Sequence, residues 1–289
     1  MGQADFVIDR VYAAVDKLKS LLTAQPARFS AIGREDSDTK LANVWKVILE
    51  YVWDISKGDV VFKQIVHDYA VAGLAYAYVY IDPEADYGRG EIKYTNVDPF
   101  SVYVDPASRD RFFQDASGMI LSTFLTEQQL IDLYPELEEV IDKLDPGDNS
   151  LYGEDYPSSS VKNSQQVFTP AEAQNLDYNT SQKYQILDRF YKARVPFYRM
   201  FNTLDGSEKI IDSETYASII EQEETREAFE RGAIEVEEIM QTRIAQCSTI
   251  GNILLFERIL NTDIYPIVPF SNIWTNTPYP KSDVNKVKD

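Results

Sequence analysis

Polar and apolar positions alternate with a helical period through the first quarter of the chain, and the pattern changes abruptly at Gly73. Across residues 4–23, Phe6, Ile8, Val11, Val15, Leu18 and Leu22 return at three- and four-residue intervals, which predicts an amphipathic helix. A second helix is predicted to begin near Asp36 or Asp38, either of which could cap it. It carries Leu41, Val44, Trp45, Ile48, Tyr51, Val52 and Ile55 on one broad face. Gly58 interrupts, and "DVVFKQIVHDYAVAG" resumes the helix up to Gly73. Neither apolar stripe can be left in water, so these helices are expected to pack on one another.

Beyond Gly73 the period shortens to two. "LAYAYVYID", "EIKYTNVDP", "SVYVDP" and "GMILSTFL" read as four short strands, and "EADYGRGE" has the composition of a hairpin loop between the first two. "TEQQLIDLYPELEEVIDKLDPGD" reads as one or two acidic helices, with Thr126 and Gln129 at capping-box spacing. Residues 146–183 are polar and poor in core formers, and are expected to form a long surface loop. From residue 184, two long strands, "YQILDRFYKARV" and "FYRMFNT", are expected to break at Pro196. A turn at "LDGSE" leads to an acidic helix over residues 213–231, with Tyr216, Ile219, Ile220 and Phe229 on its inner side. "AIEVEEIMQTRIAQC" and "NILLFERIL" form a hairpin around "STIG", and the remainder is extended and proline-rich. Runs of strands beside runs of helices, without strict alternation, predict an α+β fold.

Composition narrows the functional classes. The 289 residues carry 47 acids against 28 bases, a formal charge of −19. Nucleic-acid grip depends on neutralising phosphates with Lys and Arg, so such a chain repels DNA on average. A surface past which DNA must slide without sticking remains compatible with that charge. No apolar run approaches the roughly 20 residues needed to span a bilayer, and the N-terminus lacks the pattern of a secretory signal. A soluble, intracellular location is therefore expected. One cysteine, Cys247, excludes an internal disulfide and any cysteine-built zinc site, and reads as a small apolar residue in a strand. The single histidine, His67, lies on a helix and reads as a packed or capping residue.

No phosphate-binding loop, dinucleotide fingerprint, HExxH or GxSxG elbow is present. Carboxylate chemistry is what remains for an enzyme. Its candidates are Asp82, Asp98 and Asp105, each followed by proline, joined by Asp110 and Asp115. As a metal site they would end adjacent strands and point at one Mg²⁺. As structure, Asp-Pro is a strand terminator, because proline donates no N–H and aspartate caps turns. Three terminators at three strand ends need no ligand. The structural reading is favoured, and no catalytic, cofactor-binding or metal-binding residue is assigned. The acidic runs 127–155 and 205–238 read as solvated faces.

The order of these segments carries a resemblance. "YAVAGLAYAYVYID" followed by "GEIKYTNVDPFSVYVDPASRDRFFQDASGMILSTFLTEQQLIDLYPE" resembles the wing region of tailed-bacteriophage portal proteins, closest to those of short-tailed phages. The shared order is a helix ending at glycine, a strand reaching an aspartate, two "VDP" turns, Gln114-Asp115-Ala116, then a strand and a helix ending at Tyr134-Pro135. "YPIVPFSNIWTNTPYPKSDVNKVKD" is similar to the stretch that leads from the wing towards the channel helices. On this resemblance, residues 1–145 form a helical and β wing-like region, 146–183 a polar surface loop, and 184–289 a β-rich region leading towards a stem and crown. The chain is expected to be a fragment or shortened homologue, since portals of this group continue into long helices and a crown.

The resemblance also implies a homo-oligomeric ring, usually of twelve subunits, at one capsid vertex of the virion, assembled in the host cytoplasm. Viral DNA passes through the ring during packaging and ejection without specific binding. The implied partners are the terminase large subunit, the capsid and scaffolding proteins, and the tail adaptor, with no membrane. The implied role is structural, not enzymatic, and needs no cofactor. Another α+β scaffold or adaptor, or an Asp-based metal-dependent hydrolase, stands as the alternative.

Overall fold

The structure, a computed structural model, describes residues 10–25, 27–33, 38–138, 183–203, 206–221 and 231–284. The fold is α+β, as expected. Helices α1 (Arg10–Leu22), α2 (Thr39–Ile55) and α3 (Gly58–Val71) precede strand β1 (Leu74–Asp82). The turn between α2 and α3 is made by Lys57 in the left-handed region (φ 52°) and by Gly58. A Cβ at Gly58 would land on the Trp53 ring and the Tyr94 hydroxyl, so no larger residue fits there. Asp38 occupies the N-cap of α2 but forms no side-chain capping hydrogen bond. Asp36 and residues 4–9 lie outside the described residues.

β1 forms a hairpin with β2 (Glu91–Val97), pairing Asp82 with Glu91. The linker contains the one-turn segment α4 (Ala85–Gly88), in which Asp86 and Tyr87 are left-handed. On its other edge β1 pairs with β9 (Ile267–Ser271) from the far end of the chain, giving the sheet order β2-β1-β9. Gly73 makes this return possible. It has φ +81°, and a Cβ there would sit 2.6 Å from the backbone of Lys281 and Ser282.

The second sheet has the order β3-β4-β5-β7-β8, with β6 also on β5. Its strands are β3 (Val102–Val104), β4 (Gly118–Thr126), β5 (Lys183–Asn202), β6 (Glu208–Asp212), β7 (Ile234–Ile250) and β8 (Ile253–Leu260). After β4 comes α5 (Glu127–Leu133), opened by the expected capping box between Thr126 and Gln129. Asp212 caps α6 (Ser213–Ile220) by accepting from Thr215 N at 2.7 Å. That is the first part of the helix expected over 213–231, and residues 222–230 lie outside the described residues. The polar segment 146–183 falls outside them too, apart from Lys183.

One expectation is corrected outright: Pro196 does not break the strand. β5 runs for 20 residues straight through it, with Pro196 opposite Met240 of β7. β4 leaves β5 at Tyr191 and β6 joins it at Phe197, so among the described residues Pro196 sits where β5 has a neighbour on one edge alone. A missing N–H costs no ladder bond on an unpaired edge.

The core explains the odd "LAYA" pattern. Leu74 and Tyr76 face the second sheet, packing with Val102, Phe113, Met119, Phe190, Ile244 and Ile267. Ala75 and Ala77 face α3 and pack with Val61 and Ile65. β1 is thus buried on both faces at its start, with alanines on the side where a helix must come close. Cys247 lies half-buried in β7 and His67 is exposed on α3. Among the described residues, no helix is long and apolar enough to cross a membrane.

Candidate functional site

The five candidate carboxylates are each engaged by the local chain. Asp82 accepts from Lys93 Nζ at 2.7 Å and Glu84 N at 3.2 Å, and Lys93 draws its carboxyl below the ordinary range. Asp98 caps the short 3-10 turn Pro99–Ser101 by accepting from Phe100 N at 2.9 Å. Asp105 accepts from Ser117 Oγ (2.7 Å), Ala107 N (2.9 Å) and Ser117 N (3.2 Å), and the Ser117 hydroxyl leads in lowering its pKa. Asp110 accepts from Gln114 N at 2.9 Å. Asp115 accepts from the Ser108 hydroxyl, Arg109 N (2.6 Å) and Asp110 N (3.1 Å), and is held low chiefly by Ser108. Each carboxylate closes a turn, as Asx residues do. Among the described residues, no group of three or more His, Cys, Asp or Glu is arranged to hold a metal ion.

What these turns build is a clamp between the sheets. The loop between β3 and β4 wraps Phe113, fully buried with φ 58°, against Tyr76 and Trp274 at ring-centroid distances of 6.4 and 6.3 Å. Burial pushes the Tyr265 hydroxyl up to about 12, so it stays a donor, and it bonds Ala116 O at 2.9 Å. Arg111 crosses to the first sheet, donating to Ser271 Oγ at 3.0 Å and Ser271 O at 2.9 Å.

Two acids that carried no sequence signal sit in the more perturbed positions. Asp68 on α3 is raised by burial while accepting from Asn96 Nδ2 at 2.8 Å, beside a shallow cleft lined by Lys19, Gln64, His67 and Thr95. Asp188 on β5 is likewise raised by burial, and Gln246 links it to Arg258, with contacts of 3.3 and 3.0 Å. A lone aspartate on a helix or strand has no spacing pattern, so only packing reveals it.

The surface feature that stands apart is α2. The prediction that its stripe packs on the other helices is corrected: none of its residues is buried. Leu41, Val44, Trp45 and Val47 are 57%, 53%, 54% and 63% exposed, with Ile48, Leu49 and Tyr51 also exposed. The reason is where the helix is anchored. Trp53 projects from a different side and packs with Phe29, Tyr94 and Phe62 at 5.3, 5.9 and 6.2 Å. Tyr51 reaches the β1–β2 hairpin by donating to Glu91. These contacts secure the C-terminal turns and leave the stripe facing outward.

The distal half of the β5–β7 ribbon is exposed in a different way. Arg199 bridges Glu208 at 3.0 Å and Glu237 at 3.2 Å, and Tyr216 of α6 stacks on Tyr198 at 3.9 Å. Residues 234–243 of β7 have no strand on their outer edge among the described residues, and Glu235, Glu237 and Glu238 line that stretch. Charges on an unpaired edge discourage strand addition.

The sequence profile described as Phage P22-like portal protein matches residues 1–289. The chain belongs to the P22-like phage portal protein family, whose members are structural connectors of the capsid. No match was found among curated proteins.

Proposed function

We propose that the chain is one subunit of a ring-shaped portal through which viral DNA is packaged and ejected. The observation that carries this reading is the family match over the whole length, residues 1–289. In the ring, identical copies meet through two different surfaces, a contact that closes by rotation. The terminase large subunit, capsid and scaffolding proteins, and tail adaptor dock on it, first in the host cytoplasm and then at the virion vertex. The charge of −19 supports a passage that does not hold its cargo. The reading includes no catalysis and no cofactor. Asp82, Asp98 and Asp105 each close a local turn, the structural role that this reading gives them. The division into a wing-like part before residue 146 and a β-rich part after 183 is proposed with it, the two being joined through the β1–β9 and β4–β5 pairings.

Negative-stain electron microscopy tests the reading. Rings with a central hole are expected. Discrete particles without a hole, or tight salt-sensitive binding of duplex DNA, would overturn it.

A further inference from the structure

We infer that the cleft where Phe197, Gln241 and Arg243 meet the start of α6 binds a carboxylate carried on a short aliphatic arm, with Arg243 as the residue that grips it. The inference goes beyond the portal reading and does not depend on it.

The cleft, of about 520 Å³, lies where the second sheet narrows. The pairing of β4 with β5 ends at Tyr191, that of β8 with β7 ends at Ile244, and β6 joins β5 at Phe197. Strand register sets which residues share a face there. Gln241 and Arg243 stand opposite Val195 and Ala193, so both share a face with Phe197, and Asp212 stands opposite Phe197 on that same face. The guanidinium of Arg243 lies over the Phe197 ring, 4.6 Å from its centroid, and donates from Nη2 to Gln241 Oε1 at 2.9 Å. Stacking uses the flat of a guanidinium and leaves its edge, where the N–H groups lie, for hydrogen bonds.

Charge and hydrogen bonding select the ligand. Arg243 is half-buried, and among the described residues its Nε has no acceptor and the side chain forms no ion pair. The one acid lining the cleft, Asp212, is engaged elsewhere, accepting from Thr215 N at 2.7 Å as the cap of α6. Lys209 lines the cleft as well, so two cations stand against one carboxylate in a chain of net charge −19. A further carboxylate balances that lining. A phosphate monoester, at about −1.5 to −2 near neutral pH, overshoots it beside Asp212. The two coplanar oxygens of a carboxylate also suit the forked edge of a guanidinium. Phe197 and Ile210 give the carbon arm an apolar wall. A glutamate side chain and a free short-chain acid share this chemistry.

The test is saturation-transfer NMR on the full chain, which reads weak ligands whatever the size of the assembly. The probes are butyrate, a blocked short peptide with one glutamate between leucines, its glutamine counterpart, and inorganic phosphate. Saturation of the glutamate peptide, and not of the glutamine peptide, is expected, with affinity weakened about tenfold in Arg243→Gln. Circular dichroism confirms the fold of each variant. Lys209→Gln, at an exposed position, serves if Arg243→Gln disturbs folding, and should weaken binding more at low salt than at high. Butyrate binding as tightly as the glutamate peptide assigns the cleft to free acids, and a peptide about tenfold tighter assigns it to a segment of another polypeptide. Absence of binding by both carboxylates would overturn the inference. So would a folded Arg243→Gln that binds like the wild type, or phosphate binding as tightly as the carboxylates.

Discussion

The loop between β3 and β4 and the helix α2 present opposite relations between sequence and surface. The loop is rich in carboxylates, the groups an enzyme would use, yet Asp105, Asp110 and Asp115 all bond their own backbone or nearby serines. The helix carries a stripe of core-type residues, yet that stripe is exposed. Polar groups that looked outward-directed are spent internally, and apolar groups that looked internal are directed outward. Local hydrogen-bonding chemistry is completed within a few residues, whereas an apolar face needs a partner surface that one chain need not contain. In a family of capsid connectors, the second relation is the informative one.

The largest expected effect is on the loop. Phe113→Ala removes a fully buried ring from between Tyr76 and Trp274 and should cost about 3–5 kcal/mol, read by denaturant unfolding. A loss below about 1 kcal/mol would mean that the loop is not a clamp.

Next is Asp115→Ala, which strips the turn of its bonds from Ser108, Arg109 and Asp110 and should cost about 1 kcal/mol, the usual worth of a capping side chain. Its pH dependence has a definite sign. Asp105 and Asp115 have depressed pKa values, so their stabilisation is present above the unfolded carboxyl value of about 3.9 and is lost as pH falls through the lower folded values. Unfolding curves between pH 6 and about pH 2 should show wild type losing stability at the acid end and Asp115→Ala losing less.

A smaller effect of opposite sign is expected at Asp68. Burial raises its pKa, so its folded form favours the proton, and that contribution is lost as pH rises through the folded value. Asp68→Asn keeps an acceptor for Asn96 Nδ2 and should modestly raise the melting temperature at neutral pH. A lowered one would indicate that the charge is compensated by His67 or Lys19, which line the same cleft.

The smallest effect on stability is expected on α2. Val44→Asp/Ile48→Asp should change the stability of the dissociated subunit by no more than about 0.5 kcal/mol, as for exposed positions generally. A loss comparable to that of Phe113→Ala would erase the contrast, because the stripe would then be part of the subunit's own core.

Much of the fold is legible in the sequence, and the exceptions share a cause. β1, β2, β4 and α3 fall where periodicity puts them, and Thr126 and Gln129 form the capping box their spacing suggests. Pro196 misleads because its effect depends on whether the neighbouring edge is paired, which only topology decides. The pairing of β1 with β9 joins segments nearly 200 residues apart and leaves no local trace, although Gly73 marks the close approach. The role of the Asp-Pro pairs is readable from proline chemistry. The direction of the α2 stripe is not, since it follows from where Trp53 finds its aromatic partners. Asp68 and Asp188 lie beyond sequence reading for the same reason: burial is a tertiary property.

The central claim is that this chain is built to assemble with copies of itself around a passage for DNA. The most direct measurement is mass photometry of the purified chain paired with electron microscopy of the same sample. The account predicts a discrete species many times the 33.1 kDa subunit, seen as rings with an open centre. A uniform population at the subunit mass, at all concentrations and salt conditions, would contradict it.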